Sequence, residues 1–244
     1  MINKNIIQSI ISKYYLGVNE SVKWSIEDKV LNVNFMTPTK DVIGSVVCTD
    51  FNLENSNLAI YDTKKLSSLI SICNGDLLLE LEKLNQMYTK LKISDMNFNL
   101  MYALSDPLLI NKVGTVNVPE YVVELDLTSE DVDNLIKAKS ALSGVDNMLI
   151  TTTENLDGEL VCEFVFGDTQ GHNNKITYQI QGNISTNNLK LPFNSDMFKT
   201  ILQSNKDAEG GKLCLSEMGL MCLQFNADTI SSEYFMVRRA ESEF

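Results

Sequence analysis

The sequence of 244 residues predicts an α+β protein of two similar domains, each an antiparallel sheet with two short helices. Three observations support this fold class. One pattern occurs twice along the chain, many short segments alternate apolar and polar residues, and a segment containing two of the four prolines lies near the middle. A parallel doubly wound sheet would need helices that alternate singly with strands, and few such helices are indicated.

The repeat is clearest where an aromatic residue and an Asx residue precede an amphipathic helix. Tyr61-Asp62 opens the first copy and Phe193-Asn194 opens the second. The Asx side chain can accept hydrogen bonds from the free N–H groups of a first helical turn. One apolar stripe follows in each copy. Its residues are Leu66, Leu69, Ile70 and Cys73 in the first copy and Phe198, Ile201 and Leu202 in the second.

A second pair of helices is predicted with a similar offset along the chain. Its apolar stripes are Ile7, Ile10 and Ile11 near the N-terminus and Val132, Leu135 and Ile136 in the second half. Thr128 followed by Asp131 predicts a capping box, with Asp in the place of the usual Glu. The chain is therefore interpreted as a tandem duplication with two helices in each copy.

Segments of period-two alternation lie between the helices and predict strands. They cover residues 29–35, 77–82, 89–93, 98–104, 160–166, 175–180, 212–215 and 234–237. Turns are predicted at Asn74-Gly75, Asp157-Gly158 and Gly210-Gly211. Pro107, Gly114 and Pro119 mark the connection between the halves, so we expect an N-terminal domain at 1–110, a linker at 111–119 and a C-terminal domain at 120–244.

Composition limits the possible functions. No apolar run is long enough to span a membrane, and the N-terminus lacks a signal peptide's apolar core, so we expect a cytoplasmic protein. Five cysteines without metal-binding spacing predict buried, reduced thiols, and we expect neither metal nor cofactor. The net charge of −12 argues against nucleic acid unless the basic residues are concentrated on one surface.

The predicted helices carry an unusual share of the lysines. These are Lys4, Lys13, Lys64, Lys65, Lys137, Lys139, Lys199 and, at or past a helix end, Lys206. On an ideal wheel Lys64 and Lys137 point away from the apolar stripe, whereas Lys139 falls on the apolar side unless the helix ends there. The acids of these helices cluster in first turns, where the helix dipole favours them. One helix layer is therefore expected to be basic in a strongly acidic molecule.

These features resemble the DNA sliding clamps, and the closer likeness is to the clamp of T-even-type bacteriophages. The residues that carry it are Leu58 to Asp62 followed by Leu66, Leu69 and Ile70; Ala103 to Pro107; Ser129-Glu130-Asp131 with Leu135-Ile136-Lys137; and Tyr234 to Val237 with the acidic tail ending in Phe244. The matches are short and spread over nearly the whole length. The sequence departs from the family in a linker richer in Leu and Val, and in additional residues around Asn85 to Lys92.

The resemblance implies a homotrimeric ring without enzymatic activity, with helices lining the hole and sheets forming the outer wall. The helix lysines would face duplex DNA and contact phosphates without reading sequence. Family members hold a DNA polymerase, are loaded by an ATP-driven clamp loader and, in T-even-type phages, assist late transcription. A phage-encoded clamp would act in the cytoplasm of the bacterial host.

Two further sets of residues follow from the resemblance. Ring closure would join an edge strand of one subunit to an edge strand of its neighbour, which assigns Phe98, Leu100, Tyr102, Ile176, Tyr178 and Ile180 to the interface. Partner peptides would enter a pocket between the linker and the C-terminal domain. Its candidates are Val113, Val116, Val118, Tyr234 and Met236, for which ordinary core packing is the competing interpretation.

Two other classes of protein were compared with this interpretation. An enzyme would have to use His172, the only histidine, which lies in a polar loop, or Glu80 and Glu82, which share one face of a strand. No Gly-rich phosphate loop accompanies them. A β-rich virion or other structural protein would account for the strands and the acidity, and it stays the alternative. It would not account for paired helices that carry the lysines.

Overall fold

The computed structural model of the protein describes residues 1–167 and 174–240. The chain divides into two compact units. Unit 1 comprises Met1–Thr115 with Asp228–Ser232, and unit 2 comprises Val116–Ala227 with Glu233–Phe244. The division between Thr115 and Val116 falls within the segment 111–119. His172 and Phe244, both singled out in the sequence, lie outside the described residues.

Unit 1 contains two helices and two antiparallel sheets among its described residues. Its helices are α1 (Lys4–Tyr15) and α2 (Thr63–Ile72). Its strands are β1 (Ile2–Asn3), β2 (Val22–Glu27), β3 (Val30–Met36), β4 (Val42–Cys48), β5 (Ser56–Ile60), β6 (Asp76–Leu84), β7 (Met87–Ser94) and β8 (Asn99–Ala103). One sheet has the order β1-β6-β7-β8, and the strands of the other are arranged β4-β3-β2-β5. A short 3-10 turn, Pro107–Leu109, follows β8.

Unit 2 repeats this plan with helices α3 (Ser129–Ala141) and α4 (Ser195–Ser204). Its strands are β9 (Val123–Thr128), β10 (Asn147–Glu154), β11 (Leu160–Gly167), β12 (Lys175–Gln181), β13 (Asn183–Ile184), β14 (Lys190–Asn194), β15 (Gly210–Leu215), β16 (Leu220–Ala227) and β17 (Ile230–Val237), the last of which begins with three residues of unit 1. They form the orders β12-β11-β10-β14 and β13-β9-β15-β16-β17. Within the part of the chain that the structure describes, no helix is long and apolar enough to cross a membrane.

The helices begin where the sequence predicts, because the predicted caps form. The Asp62 carboxylate accepts a hydrogen bond from the Lys65 N–H at 2.8 Å, and the Asn194 side chain accepts from the Asp196 and Met197 N–H groups. Thr128 and Asp131 form a reciprocal capping box at the start of α3. Each cap satisfies N–H groups that have no partner within the helix. The prediction of four amphipathic helices, three of them with these caps, is confirmed, and Asn3 caps α1 in addition.

The apolar stripes of the helices are buried as predicted. Ile7, Ile10 and Ile11 of α1 are almost inaccessible, and so are the stripes of α2, α3 and α4, except that Leu69 of α2 is half-buried. The two turn predictions at Gly75 and Gly158 are also confirmed, with φ of 64° and 80°. Glycine adopts such positive φ values without steric cost.

The turn predicted at Gly210-Gly211 is wrong, because both residues begin strand β15. Gly211 pairs with Phe225 on one side and with Leu127 on the other. A Cβ atom on Gly211 would lie 2.5 Å from the Phe225 ring. These glycines therefore allow close approach of neighbouring strands. A glycine pair in a sequence can mark either a turn or such an approach, and the sequence alone does not distinguish them.

Candidate nucleic-acid interface and subunit edges

The helices pack in pairs, α1 against α2 in unit 1 and α3 against α4 in unit 2. In unit 1 the pair carries no acidic residue between its helix bounds. Lys64 and Lys65 lie at the start of α2 with exposed side chains. Neither takes part in a salt bridge among the described residues. Lys64 and Lys65 therefore present positive charge that no carboxylate of unit 1 pairs with.

Lys4 has a structural role that the sequence did not indicate. Its Nζ donates hydrogen bonds to the carbonyl oxygens of Ser71 at 2.7 Å and Cys73 at 2.6 Å, where α2 ends. Carbonyls at a helix C-terminus lack intrahelical partners, and a cation there also interacts favourably with the helix dipole. Lys4 thus links the start of α1 to the end of α2, with its side chain partly exposed.

Two of the eight lysines expected to face DNA are instead buried. Lys13 is 1% exposed and Lys139 is 2% exposed. Lys139 forms an ion pair with Asp196 at 2.9 Å and donates to the Ser143 carbonyl. A buried ammonium group already paired with a carboxylate cannot also reach a phosphate. The expectation that these two residues face DNA is therefore corrected. The burial of Lys139 agrees with its position on the apolar side of the helix.

The remaining lysines of unit 2 are Lys137, Lys199 and Lys206. Lys137 is exposed on α3, and Lys199 is partly exposed on α4. Lys206 lies just past the end of α4 and pairs with Asp133 of α3 at 2.7 Å. The hydrogen bond from Lys206 lowers the pKa of the Asp133 carboxyl. Among the described lysines of this pair, Lys137 is thus the exposed one without a salt bridge.

Strands β8 and β12 lie at the ends of their sheets, in the orders β1-β6-β7-β8 and β12-β11-β10-β14. Each therefore has one side without a hydrogen-bonded strand among the described residues. Main-chain N–H and C=O groups on such a side are available to pair with another strand. These are the strands that carry the residues expected at the subunit interface.

In unit 1 the edge residues differ in how much of their side chains they expose. Phe98, just before β8, is exposed, and Leu100 is half-buried. Tyr102 is 2% exposed, and its hydroxyl accepts a hydrogen bond from the Asp62 N–H at 3.0 Å and donates to the Asp62 carbonyl. Burial raises the pKa of Tyr102 to about 12. Tyr102 can therefore offer a neighbouring chain its main chain, while its side chain belongs to the core of unit 1.

In unit 2 the edge strand is also linked to a helix start by a tyrosine. The Tyr178 hydroxyl donates to the Asp131 carboxylate at 2.7 Å. Partial burial acts to raise the pKa of Asp131, but hydrogen bonds from Thr128 and Tyr178 outweigh it and the pKa is lowered. Ile176 is half-buried and Ile180 is buried on the same face of β12.

The five residues expected in a partner-peptide pocket fall into two groups. Val113, Val116 and Val118 are partly or fully exposed in the segment after the 3-10 turn. Tyr234 and Met236 are 0% and 1% exposed. The Tyr234 ring packs edge-on against Phe225 and its hydroxyl accepts from Asn205. The expectation for these two residues is corrected, since both belong to the core and present no surface to a peptide.

Among the residues that an enzyme would have to use, Glu82 has a structural role. Glu82 pairs with Lys90 at 2.7 Å and Lys92 at 3.3 Å on the neighbouring strand, and these contacts lower its pKa. A carboxyl with a lowered pKa is a poor general acid at neutral pH. All five cysteines are buried, as predicted, and unbridged. No group of three or more potential metal ligands is found among the described residues.

The sequence interpretation missed a polar groove on the sheet of unit 1. Two cavities of about 590 and 680 Å³ share Ser25, Asn57 and Pro107 in their lining. The available signal was the alternation Asn32-Val33-Asn34 within β3, where apolar positions are buried and both asparagines face the other side. Met101, an exposed apolar residue of β8, was likewise not assigned to the edge.

Comparison with solved structures shows the same architecture over nearly the whole chain. A PCNA2–PCNA3 complex from Sulfolobus tokodaii has a TM-score of 0.74 at 12% identity, covering 99% of this chain and 98% of that one. A. fulgidus PCNA, solved with the C-terminal region of FEN-1, has a TM-score of 0.75 at 14% identity, covering 98% and 97%. The proliferating cellular nuclear antigen of Entamoeba histolytica has a TM-score of 0.68 at 15% identity, covering 97% and 94%.

No protein-family model matches the sequence, and no curated protein sequence is significantly similar to it. The structural matches nevertheless cover both units, with antiparallel sheets and two helices in each. The predicted fold class is therefore confirmed. The chain has the two-domain antiparallel fold of the PCNA clamps.

Proposed function

We propose that this protein is a DNA sliding clamp, a ring that encircles duplex DNA and tethers a DNA polymerase without catalysing a reaction. The observation that carries the proposal is the coincidence of the clamp fold with unneutralised lysines on helices. The chain has a net charge of −12, yet Lys64, Lys65 and Lys137 are exposed without salt bridges among the described residues. Concentrated positive charge is what phosphate contact requires.

Long lysine side chains suit a protein that has to move along DNA. An ammonium group neutralises a phosphate wherever it lies along the duplex and carries no base information. The acidic remainder of the chain repels DNA from other surfaces. Linkage of a closed ring around the duplex then provides the long residence that weak contacts do not.

The two edge strands support ring closure. Pairing β8 of one subunit with β12 of the next would satisfy main-chain groups that face no strand within the subunit. Phe98, Leu100, Ile176 and Tyr178 have accessible apolar surface beside these edges. A head-to-tail contact of this kind closes into a ring when the rotation permits it. We propose three subunits, as the family resemblance implies.

The proposed partners are duplex DNA, further copies of the chain, a DNA polymerase and an ATP-driven clamp loader. Because the sequence resembles the clamps of T-even-type phages, we also propose late-transcription factors as partners and the cytoplasm of a bacterial host as the location. Val113, Val116 and Val118, which keep accessible apolar surface, are the remaining candidates for contact with a partner peptide. Tyr234 and Met236 are not part of this proposal.

The decisive experiment measures retention on circular DNA after loading by a clamp loader, alongside the solution mass from light scattering. The variant Lys64→Glu/Lys65→Glu/Lys137→Glu should keep the oligomer and lose most DNA-dependent stimulation of a polymerase, because it reverses the exposed helix charges. The matched control is Lys29→Glu/Lys40→Glu/Lys190→Glu, which makes the same charge change at exposed lysines outside the helices.

The outcomes separate a clamp from a structural protein. An oligomer that circular DNA retains and linear DNA releases supports the ring. Full polymerase stimulation by the helix variant would refute the assignment of the lysines to DNA. A strict monomer at high concentration would remove the closed ring, and a stable oligomer without any DNA retention would favour the β-rich structural alternative.

A further inference from the structure

The outer face of the β3-β2-β5 sheet in unit 1 forms the floor of an open polar groove. Asn32, Ser25 and Asn57 are register partners across these three strands, so they form one row. Asn34 and Lys23 pair in the next row. The two cavities of about 590 and 680 Å³ share Ser25 and Asn57 at this floor, so they are parts of the same groove.

Two walls enclose the groove. One is the β6–β7 hairpin, from which Gln86, Met87 and Tyr88 line the cavity. The Tyr88 hydroxyl donates to the Asn55 carbonyl at 3.2 Å, which holds this wall against the sheet. The other wall is the segment from Pro107 to Val113, whose chain lines the adjoining cavity. All of these residues belong to unit 1.

The floor carries hydrogen-bonding groups that its own unit does not use. The side-chain amides of Asn32 and Asn34 make no hydrogen bond to another described residue, and Asn57 only accepts one from Ser25 at 3.1 Å. Each asparagine amide offers both a donor and an acceptor. An extended peptide main chain presents the complementary acceptor and donor at every residue, whatever its side chains.

Charge is arranged asymmetrically along the groove. Lys23 and Lys112 line one end, and Glu27 lines the other. All three are exposed, and none has a salt bridge within the described parts of unit 1. Lys23 and Glu27 are four residues apart on β2, about 13 Å at the usual rise of a strand. An extended peptide covers the same distance in four residues.

We propose that this groove binds an extended peptide of a partner protein, with the asparagine row holding its main chain. An acidic residue of the peptide lies at Lys23 and Lys112, and a basic residue four positions away lies at Glu27. Residues four apart in an extended chain share one face, so both can point at the floor. The inference is independent of DNA binding and ring formation, since every residue that carries it lies in unit 1.

The corresponding outer surface of unit 2 differs in the way the proposal requires. The counterpart of the β4-β3-β2-β5 strands is the sheet β12-β11-β10-β14, in which Gln179 donates to Glu163 of the neighbouring strand at 2.7 Å. The Gln179 amide and the Glu163 carboxylate satisfy each other, whereas the Asn32 and Asn34 amides have no such partner among the described residues. Open, unpaired amides are therefore a property of the unit 1 groove and not of every sheet face in the protein.

The test selects short random peptides displayed on phage against the full-length protein. Enriched peptides should combine an acidic residue with a basic residue four positions away. One enriched peptide, labelled with a fluorophore, is then titrated by anisotropy. The variant Asn32→Leu/Asn34→Leu should weaken its binding by about tenfold or more, since two peptide hydrogen bonds are lost. The control Asn226→Leu, an exposed strand asparagine of β16 outside the groove, should bind as the unaltered protein does.

A second variant keeps the test decisive if the leucine variant folds poorly. Lys23→Glu/Lys112→Glu should abolish enrichment of acidic residues and select basic residues at the same position. The proposal is overturned if no peptide is enriched, if enriched peptides bind the groove variants and the control equally, or if the groove variants change self-association instead of peptide binding. Retention on DNA should be unaffected in all of these variants, which separates this result from the test of the clamp.

Discussion

Units 1 and 2 share helix caps, apolar stripes and an edge strand, yet they differ in how their helix charges are balanced. The helices of unit 1 contain no acid, and Lys64 and Lys65 are exposed. In unit 2 Asp196 pairs with Lys139 and Asp133 pairs with Lys206. The two copies thus keep the same helix packing but differ in the charges on the surfaces of their helices. In the proposed clamp, unit 1 should therefore contribute more to phosphate contact than unit 2.

The edge strands show a similar contrast within a common design. In both units a tyrosine hydroxyl links the edge strand to the start of a helix. Tyr102 bonds to the main chain of Asp62, whereas Tyr178 bonds to the carboxylate of Asp131. The first contact involves no titratable partner and the second does. The same mechanical link therefore has a different dependence on pH in the two units.

The largest expected effect is on DNA affinity, when exposed helix lysines are removed from one unit or from the other. Lys64→Gln/Lys65→Gln removes two unpaired charges, while Lys137→Gln/Lys206→Gln removes one unpaired charge and one already neutralised by Asp133. Each phosphate contact changes log K by about 0.9 per decade of salt, so we expect affinity losses of about 100-fold and about tenfold at 0.1 M salt for each subunit that contacts the duplex. Fluorescence anisotropy with a short duplex over a range of salt concentrations measures both. Equal losses and equal changes in salt slope would contradict the asymmetry.

An intermediate effect sharpens the comparison between buried and exposed ion pairs. Asp196→Asn leaves the Lys139 ammonium buried without its carboxylate, and we expect a loss of roughly 2 kcal/mol, less than for a pair buried on both sides. Asp133→Asn breaks a pair in which both side chains are about half exposed, and the loss should stay below about 0.5 kcal/mol. Urea unfolding measures the free energies. Adding Lys139→Met to Asp196→Asn should restore stability, and failure of that rescue would count against the buried-charge explanation.

The smallest effect concerns the edge tyrosines. Tyr102→Phe should cost about 1 kcal/mol at any pH between 4 and 7, and Tyr178→Phe somewhat less at pH 7. The lowered pKa of Asp131 means that its stabilisation is present above the unfolded pKa of about 3.9 and is lost as pH falls through the folded value. The cost of Tyr178→Phe should therefore shrink below about pH 4. Urea unfolding across this pH range measures it, and parallel pH curves for the two variants would contradict the assignment.

Local features of the molecule were predictable from the sequence because they depend on residues close together in the chain. Asp62, Asn194 and the Thr128–Asp131 box cap the helices that follow them, and the buried stripes begin within one turn of these caps. Strands β8 and β12 were recognised by alternation. The family resemblance indicated them as edges, since no local pattern distinguishes an edge strand from a central one.

The sequence by itself thus determined the caps, the stripes, the duplicated plan and the concentration of lysines on helices. Tertiary structure alone decided which lysines are exposed, as Lys137 is and Lys139 is not. It also placed Tyr234 and Met236 in the core, put Gly210 and Gly211 inside a strand, and brought Asn32 and Asn57 together in one groove. The physical reason is that burial, strand neighbours and ion pairs depend on segments distant in sequence. Periodicity shows which face of an element is apolar, but the residues packed against its other face decide what stays accessible.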